Sequence, residues 1–433
     1  MPTTDKITEL LAGTYEDPDG LGPQRVTTRA LVIAPTLAGM ERDLVAGLGF
    51  ERPIAVVSDK TTHEVLGRRI ERALAGRFDV HSIVLPGAPH PDDRTADSLR
   101  AATQAARALI AVGSGTINDL CKFVSARDGK PYAVFATAPS MNGYTSLNAA
   151  ITEHGHKKSL PAQAPLGAFF DLAVLAAAPA RLIRSGLGDS LCRATSQADW
   201  LLAHLVLDQP YRQLPYALLA DDEAPLFAQS AALMAGDIAA MERLVRTLVL
   251  SGFGTAIHGS SAPASQGEHL ISHYIDMLGD PDRPLVYHGE QIGVTTLSMA
   301  RLQREMLDRR PVLAPDTETP ADFAARYGET LGRSCWSDFA RKRLARETAD
   351  RLNERLDRSW PEIAQRIAAV SLSPDHLRGV LDAAGAPVTP REVHLPQPFY
   401  EQAVLRCREI RDRFTFLDLA ASSGRLRPLL TAL

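Results

Sequence analysis

Three segments carry histidine and aspartate side chains in a pattern typical of a metal site. Asp189 lies in GLGDS, His269 and His273 are four residues apart in GEHLISH, and His288 lies in YHGEQ. Histidines four residues apart share one face of a helix, and imidazoles with a carboxylate suit zinc or another divalent first-row metal. Three protein ligands would leave a position open for a substrate oxygen. The pattern predicts a catalytic metal centre, with a structural role for these histidines as the alternative.

The segment GSGTIND at residues 113–119 has the composition of a phosphate-binding loop. It follows a predicted strand and begins a predicted helix. Glycine lets the backbone approach a pyrophosphate closely, and a helix start directs N–H groups and a positive dipole at that anion. The segment lacks the third glycine of the dinucleotide fingerprint, so an ordinary strand-to-helix turn is the alternative.

Two further segments follow predicted strands. Asp59 ends the apolar run PIAVVSD, where a carboxylate can accept a hydrogen bond from a ribose hydroxyl and would repel a 2′-phosphate. Capping of the next helix is an equally good interpretation of Asp59. The segment TAPSMNGYTS at 137–146 is rich in hydroxyl groups, so it either lines a cofactor cleft or forms an ordinary loop.

The first part of the chain alternates short apolar runs with helical spacing. Predicted strands lie at 29–35, 53–59, 80–85, 109–116 and 132–139, and predicted helices at 60–77 and 93–108. The first of these helices carries Val65, Leu66, Ile70 and Leu74 at helical spacing. Such alternation predicts a parallel sheet covered on both faces, the doubly wound α/β class.

The second part of the chain shows mainly helical spacing. Period-3.6 patterns occur at 190–208, 226–251, 291–308 and 340–370, whereas 144–171 predicts a hairpin and a return strand. A length of 433 residues also suggests two domains. We therefore predict an α/β dinucleotide-binding domain at 1–177 and a helical metal- and substrate-binding domain at 178–433.

The composition is that of a soluble globular protein, with 45% hydrophobic and 23% charged residues. A formal net charge of −4 offers no basic excess for nucleic acid. The four cysteines form no CxxC pair and are expected to be buried thiols. Because neither a signal peptide nor a membrane-spanning apolar run is present, we expect a cytoplasmic protein.

Together these segments resemble one family from about residue 30 to about 420. GSGTIND, TAPSMNGYTS, KKSLPAQAP, SGLGD, ASQGEHLISHYIDML, HGEQIGV and RDRFTFLDLA follow the order and spacing of the bacterial glycerol-1-phosphate dehydrogenases. These enzymes belong to the wider group of glycerol dehydrogenase, the iron-containing alcohol dehydrogenases and 3-dehydroquinate synthase. The resemblance implies an N-terminal Rossmann-like domain and an all-α C-terminal domain, the dehydroquinate synthase-like fold.

The resemblance also implies the residues of the active site. The metal, zinc with nickel or iron as alternatives, would be held by Asp189, His269 and His288, and His273 would face the substrate. Positions matching NAD(P)H-binding residues are Gly113, Gly115 and Thr116 at the pyrophosphate, Asp59 at the adenosine ribose, and Asp119, Thr137, Ser140 and Ser146 elsewhere on the cofactor.

Two positions depart from the family pattern. Asn142 stands where the family usually carries a substrate-contacting aspartate, and Leu270 stands where many members have a second consecutive histidine. Asparagine can hydrogen-bond a hydroxyl, but it cannot act as a base or carry charge.

The implied reaction is reversible hydride transfer between NAD(P)H and dihydroxyacetone phosphate or a similar small ketone, as a step of phospholipid metabolism. His273 or a bound water would supply the proton. Lys157, Lys158 and Arg193 are candidates for binding a substrate phosphate, with surface ion pairs as the alternative. The resemblance further suggests a homodimer without nucleic-acid or membrane partners.

Three other functions remain open at this stage. A polyol or alcohol dehydrogenase acting on a non-phosphorylated substrate would share every metal and cofactor motif. A sugar phosphate cyclase of the dehydroquinate synthase type would recycle its NAD, and a non-catalytic binding protein would need neither group.

Overall fold

A six-stranded parallel sheet forms the centre of the N-terminal part of the chain. The computed structural model describes residues 5–430. The strands of this sheet are β3 (Ala30–Ala34), β4 (Ile54–Asp59), β5 (Val80–Leu85), β6 (Ala108–Gly113), β7 (Tyr132–Ala136) and β10 (Gly167–Asp171). Their spatial order is β3-β10-β7-β6-β4-β5. The predicted doubly wound α/β class is thereby confirmed.

Two small sheets accompany the central one. They are formed by β1 (Tyr15–Glu16) with β2 (Pro23–Gln24), and by β8 (Asn148–Glu153) with β9 (His156–Pro161). The predicted hairpin and return strand in 144–171 are therefore confirmed as β8, β9 and β10.

Helices connect the parallel strands and make up most of the chain that follows them. Up to the last strand of the sheet and directly after it, they are α1 (Lys6–Ala12), α2 (Glu41–Gly47), α3 (Lys60–Thr62), α4 (Arg68–Leu74), α5 (Asp93–Ala102), α6 (Gly115–Asp128) and α7 (Leu172–Ala176). The later helices are α8 (Ala180–Leu191), α9 (Arg193–Leu207), α10 (Leu214–Leu219), α11 (Glu223–Ala228), α12 (Ser230–Met234), α13 (Ile238–His258), α14 (Gly267–Leu278), α15 (His288–Leu307), α16 (Pro320–Tyr327), α17 (Glu329–Phe339), α18 (Arg346–Ala368), α19 (Pro374–Ala383), α20 (Gln397–Arg406), α21 (Phe416–Ser422) and α22 (Leu426–Leu429). Within the described residues, none of the helices has the length and apolar character needed to span a membrane.

The central strands are buried because helices cover both faces of the sheet. Every residue of β6 and of β7 is buried. Ile110, Val112 and Phe135 pack with Ile54 and Val56 in one core cluster. A parallel sheet buried on both faces requires continuous apolar strands, which is the pattern seen in the sequence.

The strand order reverses its direction between β4 and β6. The chain leaves β4 for β5 on one side, whereas it leaves β6 for β7 on the other side. In open parallel sheets, a crevice forms at the carboxyl ends of the two strands that flank such a reversal, and ligands bind there. The segments that follow Asp59 and Gly113 both begin at this point.

Three predicted helices differ from the observed ones. The predicted helix 60–77 is interrupted by a π-helical turn at His63–Gly67, which leaves Val65 53% exposed while Leu66 and Ile70 are buried. The predicted helix 93–108 ends at Ala102. The predicted helix 226–251 is three helices, because Gly236 takes a positive φ of 86° and Asp237 caps α13.

Packing divides the chain into two compact units whose boundaries cross the secondary-structure pattern. Unit 1 consists of the residues up to Glu153 together with 158–190 and 212–261, and unit 2 consists of 154–157, 191–211 and the residues from Ala262 onward. The change from strands to helices near residue 177 therefore does not coincide with the change in packing. The assignment of cofactor binding to 1–177 and of metal and substrate binding to 178–433 stays a prediction.

Unit 2 has its own hydrophobic core, built entirely from helices and their connections. Tyr274 of α14, Leu302 of α15, Phe323 of α16, Trp360 of α18 and Phe416 of α21 all belong to it. The four cysteines of the chain are buried free thiols, as predicted. This core fixes the helices that carry His269, His273 and His288.

Helix α8 lies so close to the segment after β7 that one glycine is required. A Cβ atom on Gly186 would lie 1.7 Å from the carbonyl oxygen of Pro139. Backbone cannot yield as a side chain can, so we expect Gly186→Ala to lower the free energy of unfolding by about 3 kcal/mol or more, measured by urea denaturation.

Gly379→Ala is the matched control for this substitution. Gly379 lies inside α19, and a Cβ there would meet nothing within 4 Å. It should therefore raise the stability by about 0.5–1 kcal/mol, as alanine does in an open helix position. Equal effects of the two substitutions would contradict the close approach of α8 to Pro139.

Candidate active site

The glycine-containing segment lies where the sequence predicted it, between a strand and a helix. Strand β6 ends at Gly113, and α6 begins at Gly115. A Cβ on Gly113 would meet the side chain of Ile117 at 2.6 Å, so this glycine also allows close packing of the helix on the strand. Ser114 and Thr116 are partly exposed at the helix start.

The start of α6 has no side-chain cap, unlike three other helix starts beside the sheet. Asp59, Asp92 and Asp171 each accept a hydrogen bond from a first-turn N–H group of α3, α5 and α7. The side chain of Ser114 makes no such bond at α6. Since first-turn N–H groups attract an anion, the start of α6 after β6 can receive a phosphate.

Asp59 caps α3, which was the alternative interpretation of this residue in the sequence. Its Oδ1 accepts from the N–H of Thr62 at 2.8 Å, and the Thr62 hydroxyl lies 3.0 Å from the Asp59 N–H. This capping box holds the carboxylate at the carboxyl end of β4, beside the reversal point of the sheet. The predicted contact of Asp59 with a ribose stays a prediction.

A buried lysine, which the sequence did not single out, holds the hydroxyl-rich segment in place. Nζ of Lys122 donates to the carbonyl oxygens of Gly143 and Asn148 and to Oγ of Ser146, the last two at 3.0 Å. Burial lowers the pKa of Lys122 to about 8, against the opposing charge of Asp119 at 3.7 Å. Ser146 is therefore bonded within the protein.

The other predicted cofactor positions lie around this segment. Asp119 accepts from the N–H of Ala150 at 3.1 Å, which joins α6 to β8. Thr137 and Ser140 are buried, and the N–H of Thr137 donates to the carbonyl oxygen of Gly113 at 3.1 Å. Thr137 thus directly adjoins the glycine segment.

Asp189 is tied to the substrate-contacting position of the same segment. Its Oδ2 accepts from the backbone N–H of Asn142 at 2.7 Å, and Asp189 is buried. One turn earlier on α8, Oγ of Ser185 donates to the carbonyl oxygen of Ser140 at 2.9 Å. Helix α8 therefore positions both ends of the 140–142 turn.

Unit 2 brings the three histidines of the predicted metal centre together. The ring centroids of His269 and His288 are 5.2 Å apart, and those of His269 and His273 are 5.9 Å apart. Ligand nitrogens of His269 and His288 lie within 4.8 Å of each other. His269 and His273 lie on one face of α14, as the spacing predicted, and His288 is the first residue of α15.

Glu268 orients the first of these imidazoles. Its Oε1 lies 2.9 Å from Nδ1 of His269, and its Oε2 accepts from the hydroxyl of Thr195 at 3.0 Å. Burial alone would raise the pKa of Glu268, but the contacts with His269 lower it below its usual value. An ionised carboxylate can only accept, so Nδ1 of His269 carries a proton in this contact and Nε2 is the ring nitrogen left to bind a metal.

His273 and His288 are neutral imidazoles at neutral pH. Burial lowers the pKa of His288 to about 3, and the charges of His269 and Lys157 lower it further. Burial, Arg411 and Lys157 hold the pKa of His273 well below its usual value. Nη2 of Arg411 donates to Nδ1 of His273 at 3.2 Å, so the proton of His273 lies on Nε2.

A second group of possible metal ligands shares His269. Sγ of Cys192, a carboxylate oxygen of Glu268 and a ring nitrogen of His269 lie within 4.8 Å of one another, and all three residues are buried. Glu268 already contacts Thr195 and His269. It is therefore better placed to orient the imidazole of His269 than to bind a metal.

The predicted phosphate-binding cations have different surroundings. Nζ of Lys157 pairs with Oδ2 of Asp276 at 2.5 Å. Arg193 donates to Gln197 and to the carbonyl oxygen of Val370. Lys158 is partly buried in β9. The observed contact of Lys157 is therefore an ion pair, which was the alternative to phosphate binding.

Sequence reasoning missed Lys122, Glu268 and Arg411. Lys122 follows Asp119 by three residues, and Glu268 is next to His269, so both could have been noted as polar residues beside motif positions. Arg411 is 138 residues from His273, and nothing in the sequence indicates their contact.

Comparison with known proteins agrees with this fold. A family model described as iron-containing alcohol dehydrogenase matches residues 32–179. A probable glycerol dehydrogenase from Sinorhizobium meliloti has a similar fold, with a TM-score of 0.61, 14% identity, and coverage of 94% of this chain and 98% of that chain. A sulfoacetaldehyde reductase from Bifidobacterium kashiwanohense, solved in complex with NAD+, has a TM-score of 0.59 at 15% identity, covering 93% and 96% of the two chains.

The relatives and the matching family model indicate an NAD(P)-dependent alcohol dehydrogenase. Glycerol-1-phosphate dehydrogenase (NAD(P)+) from Pyrococcus furiosus is 34% identical over 341 residues, which cover 76% of this chain and 96% of that relative. The enzyme of the same name from Geobacillus thermodenitrificans is 28% identical over 376 residues, covering 84% and 86%. The chain belongs to the glycerol-1-phosphate dehydrogenase family.

Lys122→Met tests the anchoring of the hydroxyl-rich segment. The substitution removes the charged donor that joins the carbonyl oxygens of Gly143 and Asn148, which then keep the hydrogen bonds from Oγ of Ser146. It also leaves Asp119 without its buried counter-charge, so we expect a loss of about 2–4 kcal/mol in the free energy of unfolding and a weaker affinity for NADH. Lys130→Met is the control, because Nζ of Lys130 bonds Thr103 at a partly exposed position where water can replace it. An unchanged NADH affinity in a folded Lys122→Met protein would show that the segment does not depend on this anchor.

Glu268→Gln tests the orientation of His269. A neutral amide is a weaker acceptor for Nδ1–H, so the affinity for a divalent metal should fall about 10- to 100-fold, measured by competition with a coloured chelator. Glu329→Gln changes the same functional group at an exposed position of α17 and should leave the affinity unchanged. Identical metal affinities of the two variants would rule out this role of Glu268.

Proposed function

We propose that this enzyme reduces dihydroxyacetone phosphate to glycerol 1-phosphate with NAD(P)H, at a divalent metal, most simply zinc. The observation that carries the proposal is the pair of imidazoles of His269 and His288, whose ligand nitrogens lie within 4.8 Å of each other, with Nδ1 of His269 held by Glu268. The substrate follows from the names of the relatives from Pyrococcus furiosus and Geobacillus thermodenitrificans.

The donor set fits a divalent first-row metal. Imidazole lone pairs and one carboxylate are borderline ligands that suit zinc, nickel or iron, and a carboxylate that holds the distal N–H of a ligand histidine is typical of zinc sites. When bound, such a metal supplies a Lewis acid that stabilises negative charge on the carbonyl oxygen of the substrate.

We propose Asp189 as the carboxylate ligand. Its backbone partner Asn142 engages Oδ2, so the carboxylate has a fixed orientation before any metal binds. A carboxylate has about four lone-pair positions on its two oxygens, so acceptance of the Asn142 N–H by Oδ2 is compatible with binding a cation. The same hydrogen bond places the Asn142 backbone beside the metal ligand, and we propose that the Asn142 side chain hydrogen-bonds a substrate hydroxyl.

The cofactor is proposed to bind at the reversal point of the parallel sheet. Gly113, Gly115 and Thr116 would receive the pyrophosphate at the start of α6, where the side chain of Ser114 makes no capping bond. Asp59 would receive the adenosine ribose, which favours NAD over NADP because a carboxylate repels a 2′-phosphate. Thr137, Ser140, Asp119 and Ser146 would shape the adjoining wall.

His273 is proposed as a hydrogen-bond donor rather than as an acid. Arg411 occupies Nδ1, so the neutral ring holds its proton at Nε2 and can orient a substrate oxygen with it. Reduction of the ketone consumes one hydride from NAD(P)H and one proton. Because the pKa of His273 is far below neutrality, we assign the proton to water, the other source considered from the sequence.

The assembly is proposed from the family resemblance alone. We propose a homodimer that acts on a small phosphorylated molecule in the cytoplasm, without nucleic-acid or membrane partners. Sedimentation velocity of the metal-loaded protein measures its oligomeric state directly.

Metal-dependent oxidation of NADH by dihydroxyacetone phosphate tests the proposed reaction. We expect activity in the reconstituted enzyme and at least a hundredfold loss, about 3 kcal/mol of transition-state stabilisation, after chelation. Readdition of zinc should restore the rate. Glycerol and simple alcohols serve as comparison substrates in the reverse direction.

The other outcomes of this assay separate the competing functions. A clear preference for glycerol over glycerol 1-phosphate would identify a polyol dehydrogenase. Binding of NADH and metal without net oxidation of NADH by any of these substrates would favour a cyclase, and absence of both binding activities would contradict an enzyme of this class.

A further inference from the structure

We infer that Arg411 is the residue that binds the substrate phosphate and thereby sets the preference for phosphorylated substrates. This inference rests on the proposed function, because it assigns a specificity residue to that site. Arg411 follows the short 3₁₀ helix Cys407–Ile410 and begins the segment RDRFTFLDLA, for which the sequence predicted no role.

The guanidinium of Arg411 has donors that no residue between 5 and 430 uses. Within that range it donates from Nη2, to Nδ1 of His273 at 3.2 Å and to the carbonyl oxygen of Lys157 at 3.4 Å. Its Nε is buried without a hydrogen-bond partner in the described part of the chain. A guanidinium has five N–H donors in a fixed fork, and buried donors are normally satisfied.

Arg411 also lacks a carboxylate partner within ion-pair distance between residues 5 and 430. The two acids whose charges act on Arg411, Asp338 and Asp412, both pair with Arg341, at 3.8 and 3.2 Å. Burial lowers the pKa of Arg411, yet a guanidinium stays charged at neutral pH. A buried charge of this kind is costly unless an anion compensates it.

The position of Arg411 connects this charge to the reacting centre. It contacts His273, whose ring is 5.9 Å from that of the proposed metal ligand His269. In a three-carbon substrate, the phosphate is separated from the C2 carbonyl by one carbon and one ester oxygen. A phosphate dianion next to His273 is therefore compatible with a carbonyl oxygen directed towards the histidine pair.

Comparison with the other cations of unit 2 favours Arg411 over them. Nζ of Lys157 is neutralised by Asp276, and Arg413 donates to the carbonyl oxygen of Ser265. Planar, bidentate donation to phosphate oxygens is the preferred role of arginine, whereas a paired lysine offers little net charge. Lys157 then contributes its backbone carbonyl, which orients Arg411.

Arg411→Gln tests the inference through a difference between two substrates. We expect the KM for dihydroxyacetone phosphate to rise about 10- to 100-fold, since charge-assisted hydrogen bonds to the phosphate are lost. The KM for dihydroxyacetone, which lacks the phosphate, should rise clearly less, because for this substrate only the orientation of His273 by Arg411 is lost. Arg333→Gln removes an exposed arginine of α17 in the same unit and should affect neither substrate.

Binding of inorganic phosphate gives a readout that does not need turnover. Isothermal titration of zinc-loaded protein with phosphate should show an affinity that falls at least tenfold in Arg411→Gln, with zinc content and NADH affinity unchanged. Arg411→Lys keeps the positive charge but not the planar fork of donors. Its affinity for phosphate should lie between the affinities of wild type and Arg411→Gln. It replaces Arg411→Gln as the decisive variant if the latter does not fold.

The outcomes separate this inference from the proposed function. Equal increases in KM for both substrates, or unchanged phosphate affinity in folded Arg411→Gln, would overturn the role of Arg411. A wild-type enzyme that is inactive on dihydroxyacetone phosphate would overturn the proposed reaction, and the phosphate titration would still decide whether Arg411 binds the anion.

Discussion

The hydrogen bond between Glu268 and Nδ1 of His269 is the interaction on which the proposed metal centre depends. Because Glu268 is buried and its second oxygen is held by Thr195, the carboxylate has one orientation and stays ionised. It fixes both the tautomer and the ring plane of His269. The lone pair at Nε2 of this histidine, and with it the pairing with His288, follows from that single contact.

A comparable constraint operates in the sheet of unit 1. Parallel strands begin their connections at the same edge, so the segments after β4, β6 and β7 converge there regardless of their distance in sequence. Lys122 and helix α8 then hold the segment after β7 from two sides, through carbonyl oxygens and through Asp189. The backbone of Asn142 thereby connects the proposed cofactor-binding region to a proposed metal ligand by one hydrogen bond.

The sequence predicted the sheet and the pairing of histidines well, because both have strong local signals. Apolar strands such as 54–59 are recognisable by composition, and i,i+4 histidines on α14 follow from helix geometry. The helix at 60–77 was wrong in part, since a π-helical turn rotates Val65 outward, and no residue pattern signals such a turn. The boundaries of the compact units could not be predicted either, because helices 180–191 and 214–258 pack with strands far from them in sequence.

Other contacts of the proposed site also join residues that are far apart in sequence. Arg411 reaches His273 across 138 residues, and Asn142 reaches Asp189 across 47. Family resemblance identified Asp189 and the histidines because their motifs are contiguous. It did not identify Lys122, Glu268 or Arg411, whose roles are visible only once the chain is folded. The departure at Asn142 is compatible with the fold, since the contact to Asp189 uses the backbone N–H and not the side chain.

X-ray absorption spectroscopy at the zinc edge tests the central claim most directly. The account predicts a zinc ion bound by nitrogen and oxygen only, with the scattering pattern of two imidazoles and no sulfur. The alternative group, Cys192 with Glu268 and His269, would instead show a zinc–sulfur distance of about 2.3 Å. A sulfur shell in the active enzyme would contradict the assignment of the metal to Asp189, His269 and His288.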